Sequence, residues 1–536
     1  MRLVIKDYLM QLKEKDELDL LLCDLLLQRG YITDNKPETG NRQFGVDIHA
    51  HNKNEVLLCV VKQGDLDRKN WDSNQNSVRQ SLNEIKDVYV EWIKGGEREK
   101  KLRIAVVSNG VIKEAVKPAW EGYVSQNIRW SEMEVKIEFW NIDRLVEDIQ
   151  KYLFGERIFG VEMQGLLRKA LYFIGEGNYS NKYFEEIIDL YLMQLEGEQN
   201  AKKRKKVLAG IYLASQMIAQ YAAESNIYKI SIMVSEYLII RYWKFMMKNN
   251  VLGRSAYADW LYKFLAAYEK WNNKYYENIK RCCEMENGLP VYNPIEQRVL
   301  LYEVLGYLVS YAYYLSFMSG GKVATGEKCW QVVGTIVNLI NNHAQFPYAP
   351  YDQHVGIISM LYRLLDCIGR SKDIEALLDS QCECLAHLYR RNKQYPTAID
   401  SFEDAVNIYL GTSKEEYVTT GFWGTMLQWM VLMEQSETYQ NLQAFLSKDL
   451  EEVTKCTWFL REEEEAKFYD RYAMNLAGEG VEIEIEDDFN KLKENIEFIM
   501  SQYSDEKFSF EEYSFEALEF IVSRYYGYIV RAKREL

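Results

Sequence analysis

Asp47 and Lys62 stand at the ends of two short apolar runs, FGVDIHA at 44–50 and EVLLCVVK at 55–62. The turn-prone HNKN between them makes the pair read as a β-hairpin. Alternation puts His49 and His51 on the Asp47 face of the first strand, while Leu58, Val60 and Lys62 share a face of the second. A carboxylate on a rigid strand is a hard oxygen ligand for Mg²⁺ or Mn²⁺. A nearby ammonium can orient an attacking water and offset charge on a phosphate. Together they are what metal-assisted phosphodiester hydrolysis needs.

The surrounding segments are those that could hold such a hairpin in place. Residues 1–30 read as one or two amphipathic helices, with LDLLLCDLLL apolar enough to lie buried against a sheet. The polar stretch KQGDLDRKNWDSNQN after the second strand should be a loop bordering the site. A helix follows over 76–94, ending at Gly95-Gly96, and then a buried strand, LRIAVVS. Strands alternating with helices imply a mixed sheet covered by helices on both faces.

Four segments in this order resemble the PD-(D/E)XK nuclease superfamily, most closely its Mrr-type restriction-endonuclease branch. They are ELDLLLCDLLLQRGY at 17–31, GVDIHA with Asp47, LLCVVKQG with Lys62, and RIAVVSNGVIKEAVKPAWEGY at 103–123 followed by VKIEFWNIDRLVEDI at 135–149. The resemblance covers roughly the first 150 residues and implies a restriction-endonuclease-like α/β fold with Mg²⁺ or Mn²⁺ bound through Asp47. The family places Glu, Asp or Gln two residues before the lysine, and here that residue is Val60, which cannot ligate a metal. Glu17 or Asp19 on the opening helix, His49 beside Asp47, and Gln63 or Asp65 beyond Lys62 are the replacements the sequence offers. Gln80, on the following helix, matches a glutamine that several branches turn toward the site. The implied activity is endonucleolytic cleavage, of DNA more than of RNA, in a prokaryotic defence or restriction role. Paired cleavage of a duplex implies a homo-oligomer. The alternative that Val60 favours is a degenerate nuclease fold serving as an interaction or nucleic-acid-binding scaffold.

With 536 residues, 48% apolar and 27% charged, the chain is expected to hold two to four globular domains. Its net charge of −15 argues against passive wrapping of nucleic acid. Residues 1–150 carry 23 basic against 26 acidic side chains, so a local basic groove is still open to them. Arg42, Arg68, Lys69 and Arg79, around Lys62, are the candidates for phosphate contacts. Nine scattered cysteines and a start that turns charged too soon for a signal peptide suggest reduced thiols in the cytoplasm. Cys382, Cys384 and His387 could begin a zinc site, but the two thiols diverge on a helix, and core packing is the better account. The most apolar stretch, 299–321, is broken by Glu303 and by tyrosines, which favours a buried helix over a membrane span.

Past 150–160, with Gly155 and Gly160 as hinges, strand signals nearly vanish. The expected division is a nuclease-like domain over 1–155 and an all-α region over 160–536, an irregular, tetratricopeptide-like α-solenoid. Residues 385–409 resemble one such repeat through Tyr395, Ala398, Phe402 and Ala405. A protein partner or ligand trigger acting through this region would keep the nuclease silent until needed. Abundant aromatics read as interhelical filler, the run LREEEEAKF at 460–468 as a solvated helix face, and EGVEIEIEDD at 479–488 as an isolated strand or loop. No P-loop, dinucleotide fingerprint, HExxH or GxSxG motif is present.

Overall fold

The structure, a computed structural model, describes residues 2–10, 12–33, 44–73, 77–93, 95–130, 133–153, 161–176, 181–198, 200–291, 293–319, 326–348, 352–392, 406–407, 410, 412, 419–470 and 478–533. Arg42, Gly155, Gly160, Tyr395, Ala398, Phe402 and Ala405 lie outside them. The chain divides into two compact units, Met1–Asn226 and Ile227–Leu536.

The first unit opens with helix α1 (Arg2–Leu9), a π-helical turn (Glu14–Leu18) and helix α2 (Asp19–Gln28). Strands β1 (Ile32–Thr33), β2 (Ile48–His51) and β3 (Glu55–Lys62) then form an antiparallel meander, with His49 opposite Leu58 and Ile48 opposite Cys59. After α3 (Arg68–Asp72), α4 (Val78–Glu84) and the short α5 (Val90–Trp92), strand β4 (Lys101–Ser108) returns parallel to β3, pairing Lys62 with Ser108. Helix α6 (Lys117–Gln126) and β5 (Arg129–Trp130) lead to β6 (Met133–Trp140), parallel to β4, and to α7 (Ile142–Asp148). The sheet order is β1-β2-β3-β4-β6-β5.

The near-continuous apolar sequence of β3 follows from its central place, since a strand covered on both faces needs apolar residues at every position. Val56, Leu58 and Val60 pack with Ile104, Val106, Trp71, Leu82 and Trp120 in one core. Leu57, Cys59 and Val61, which alternation sends to the other face, are just as buried. Helices α8 (Val161–Gly175), α9 (Lys182–Leu195) and α10 (Ala201–Glu224) complete this unit, α10 packing on both α1 and α9.

The second unit is built mainly of long helices, among them α11 (Tyr228–Lys248), α12 (Ser255–Glu284) and α13 (Pro294–Met318). The apolar stretch around 299–321 is α13, started by Pro294 in its first turn and by Asn293, whose side chain accepts the Ile295 N–H at 2.9 Å. Among the described residues no helix is long and apolar enough to cross a membrane. Buried tyrosines fill the interhelical space with their hydroxyls satisfied: Gln381 donates to Tyr302 at 2.8 Å and accepts from Tyr362 at 2.7 Å. Cys382 is fully buried, so its thiol belongs to this core.

Two expectations change here. The alternating segment near 479–488 is not isolated: β9 (Gly478–Glu482) pairs antiparallel with β8 (Thr454–Leu460), which also meets β7 (Thr419–Thr420). The run 460–468 is not one solvated helix face. It holds the end of β8, a 3₁₀ turn and the short helix Glu465–Phe468, where Glu465 is buried and accepts the Ser509 N–H and hydroxyl.

Candidate active site at the ends of the central strands

Asp47 immediately precedes β2, and the local sequence explains why it is held there. Gly45 has φ +81°, and a Cβ on it would fall 2.2 Å from the Ser81 carbonyl oxygen, so only glycine lets α4 close over this strand entry. The Asp47 N–H donates to the Cys59 carbonyl at 2.9 Å, and its Oδ2 accepts the Val61 N–H at 2.7 Å. Among the described residues Oδ1 has no hydrogen-bond partner. Burial pushes the carboxyl pKa above its ordinary value; the Val61 N–H and the Lys62 ammonium pull against that shift, while Glu14 adds to it. Asp47, Lys62 and Glu14 thus share one electrostatic neighbourhood.

Lys62 ends β3, half-buried, with Nζ 3.2 Å from Glu14 Oε1. Glu14 starts the π-helical turn and is the acidic group that the sequence did not single out. It lies three residues before Glu17 in the same acidic stretch, and spacing alone does not separate the two.

The other candidates for a second ligand are occupied elsewhere. Glu17 accepts the Lys13 N–H at 2.8 Å and forms an ion pair with Lys206 on α10. Asp19 is buried at the start of α2, where it accepts the Leu20 N–H at 2.7 Å. His49 Nδ1 lies 3.1 Å from the Tyr89 hydroxyl and Nε2 3.4 Å from Glu97, which His51 also approaches at 3.8 Å. The Gln63 amide donates to the Leu12 carbonyl at 3.1 Å. Asp65 pairs with Lys113 at 2.7 Å and accepts the Val111 N–H at 3.0 Å, and these partners hold its pKa below the ordinary value. Val60 is fully buried in the core, so burial as well as chemistry removes it from the ligand set.

A second residue without a sequence signal is Asn109, directly after β4. Buried, it donates to the Leu9 and Leu12 carbonyls at 2.8 and 2.9 Å and accepts the Gly64 N–H at 2.7 Å. One side chain therefore ties the exit of α1, the approach to Glu14 and the exit of β3 together. The next residue must be small: a Cβ on Gly110 would fall 2.4 Å from the Gly64 carbonyl group. Of the proposed phosphate contacts, Arg68 and Lys69 are exposed on α3, Arg79 is spent on Asp72 at 2.7 Å, and Gln80 points to solvent from α4.

No family model, curated protein or solved structure matches the chain.

Among the described residues no three or more His, Cys, Asp and Glu side chains are arranged to hold a metal ion. A closed zinc centre needs four such ligands. Mg²⁺ is commonly held by one or two carboxylates, with waters and substrate phosphates completing its shell. Glu14 beside the Lys62 ammonium, and Asp47 with its Oδ1 left over by the backbone, are carboxylates of the kind that hard, hydrated ion takes.

Proposed function

We propose that the chain is a metal-dependent nuclease whose active centre is Asp47, Glu14 and Lys62. The observation that carries this reading is their convergence at the ends of β2 and β3, with Lys62 Nζ 3.2 Å from Glu14 and Asp47 inside the same field. The order of elements also supports it: two opening helices, three antiparallel strands, three helices, and a strand parallel to the third, compatible with a restriction-endonuclease-like core.

Asp47 and Glu14 would hold the Mg²⁺ or Mn²⁺, Glu14 supplying the oxygen that Val60 cannot. Such an ion, when bound, supplies Lewis acidity and a more acidic water. The chain's own groups do the rest. The Val61 N–H fixes Asp47 Oδ2, which leaves Oδ1 for the ion. Lys62 turns from Glu14 to the scissile phosphate, where its charge offsets the negative charge that grows as water attacks. Asn109 keeps Glu14 in reach by holding the chain at Leu12.

The substrate is nucleic acid, DNA ahead of RNA, and a defence role with the helical unit as sensor of a partner or ligand follows from the family resemblance. The full-length protein should cut duplex DNA, single-stranded DNA or RNA in Mg²⁺ or Mn²⁺, and Asp47→Ala and Lys62→Ala should each abolish it. Cleavage that survives both substitutions would sink this assignment. The second reading, a docking scaffold, is favoured by the buried Val60, and it predicts binding without cleavage by every form of the protein.

A further inference from the structure

Lys62 cannot serve Glu14 and a substrate phosphate at once, and in the structure it faces Glu14 at 3.2 Å. A nucleic-acid backbone brings a phosphate on either side of the scissile one, so seating it takes a cation that the site has not already spent. Among the sequence candidates, Arg79 is spent on Asp72.

Lys15 is such a cation. It follows Glu14 on the π-helical turn, is exposed, and has no ion pair among the described residues. The two glutamates of that turn are turned to lysines of distant elements, Glu14 to Lys62 and Glu17 to Lys206, and leave Lys15 unmatched. Its charge acts on the Asp47 carboxyl in the same sense as that of Lys62, whereas Glu14 acts against both. The backbone holds the turn in this place. The Leu12 carbonyl, three residues before Lys15, accepts from Gln63 at 3.1 Å and from Asn109 at 2.9 Å, the residues that directly follow β3 and β4. An ammonium on a flexible four-carbon stem is a point charge with three donors, which suits a phosphate oxygen.

We propose that Lys15 contacts a substrate phosphate next to the scissile one, completing the Asp47–Glu14–Lys62 centre for a nucleic-acid backbone. This rests on the nuclease reading of the site, but the binding can be measured without cleavage. The full-length Asp47→Asn protein, alone and with Lys15→Gln, Lys15→Arg or Lys53→Gln, is titrated against fluorescent duplex DNA, single-stranded DNA and RNA over a range of salt. Lys53 is exposed in the turn of the β2–β3 hairpin, about 25 Å from the Lys62 end of β3 at about 3.3 Å per residue. Its substitution removes the same charge from the protein but not from the site.

Lys15→Gln should weaken binding at least about threefold and lower the log–log salt slope by about one, for one phosphate no longer neutralised. Lys15→Arg should restore both, and Lys53→Gln should change neither. With Asp47 intact, Lys15→Gln should bind Mn²⁺ no more weakly than the parent, since the lysine is no ligand and its charge opposes that of the ion. A fall in Mn²⁺ affinity would make Lys15 a prop of Glu14 and overturn the contact. Unchanged affinity and slope in Lys15→Gln, or an equal loss in Lys53→Gln, would overturn it even if the parent protein cleaves, as would absence of nucleic-acid binding. Weakened binding in Lys15→Gln alone, in a protein that never cleaves, would keep the contact and refute the nuclease reading.

Discussion

Glu519, in the helical unit, is buried between two guanidinium groups: Arg363 at 2.6 Å, and Arg531, whose Nε and backbone N–H each donate at 3.1 Å. Asp47, at the strand ends of the first unit, receives one backbone N–H and shares its field with a lysine already turned toward Glu14. Burial alone would raise the Glu519 pKa, but Arg531 and Arg363 outweigh it and hold the carboxyl well below its ordinary value. For Asp47 burial wins and the pKa rises. The first arrangement completes itself and serves the fold. The second leaves a partly buried carboxylate with little positive charge around it, which is the condition the proposed metal site requires.

The largest expected effect breaks that comparison at Asp47. Asp47→Asn should lower cleavage by about 10³-fold or more, several kcal/mol of lost charge stabilisation. In chelator at pH 7 it should melt no lower than the parent, and the sign is a sharper test than the size. A raised carboxyl pKa means that stability present below the unfolded value of about 3.9 is lost as pH rises through the folded value. Ionised Asp47 therefore costs stability at neutral pH, and the advantage of the variant should close as pH falls toward 4. Melting curves across that range check it.

Glu519→Gln should behave in the opposite way. It removes the buried carboxylate that Arg363 and Arg531 share, although Arg531 keeps Glu511 at 2.9 Å, and should cost about 3–5 kcal/mol, read from denaturant midpoints. Because the Glu519 pKa is depressed, its contribution is present above the unfolded value of about 4.3 and lost as pH falls below it. The parent should be acid-labile there, and the variant should lack that part of the slope.

A smaller change tests whether the first site is positioned by its neighbours. Asn109→Ala removes one bond from each of the Leu9 and Leu12 carbonyls, which keep the Leu12 N–H and the Gln63 amide, and takes the side-chain acceptor from the Gly64 N–H. It should cost about 1–3 kcal/mol and raise the Mg²⁺ concentration needed for half-maximal cleavage, because Glu14 loses its anchor. A stability loss with unchanged metal dependence would reduce Asn109 to a structural residue.

Local sequence carried the hairpin, since Asp47 and Lys62 end two β-branched runs whose alternation and turn are visible in one dimension. The strand β4 was legible for the same reason, in the apolar LRIAVVS. Glu14 was not, because Glu14, Glu17 and Asp19 lie within six residues, and a π-helical turn sets which of them faces Lys62. The choice is made from outside that stretch, by Asn109 almost a hundred residues on and by Lys206 drawing Glu17 aside. Val60 read as a missing ligand, and its burial in the core gives the packing reason for an apolar residue there.

The most direct test of the proposed centre is Mn²⁺ binding, measured by calorimetry on the full-length protein without substrate. The expected result is a site abolished in Asp47→Asn, weakened at least about tenfold in Glu14→Gln and unchanged in Glu17→Gln. Equal Mn²⁺ binding by the parent and Asp47→Asn would contradict it.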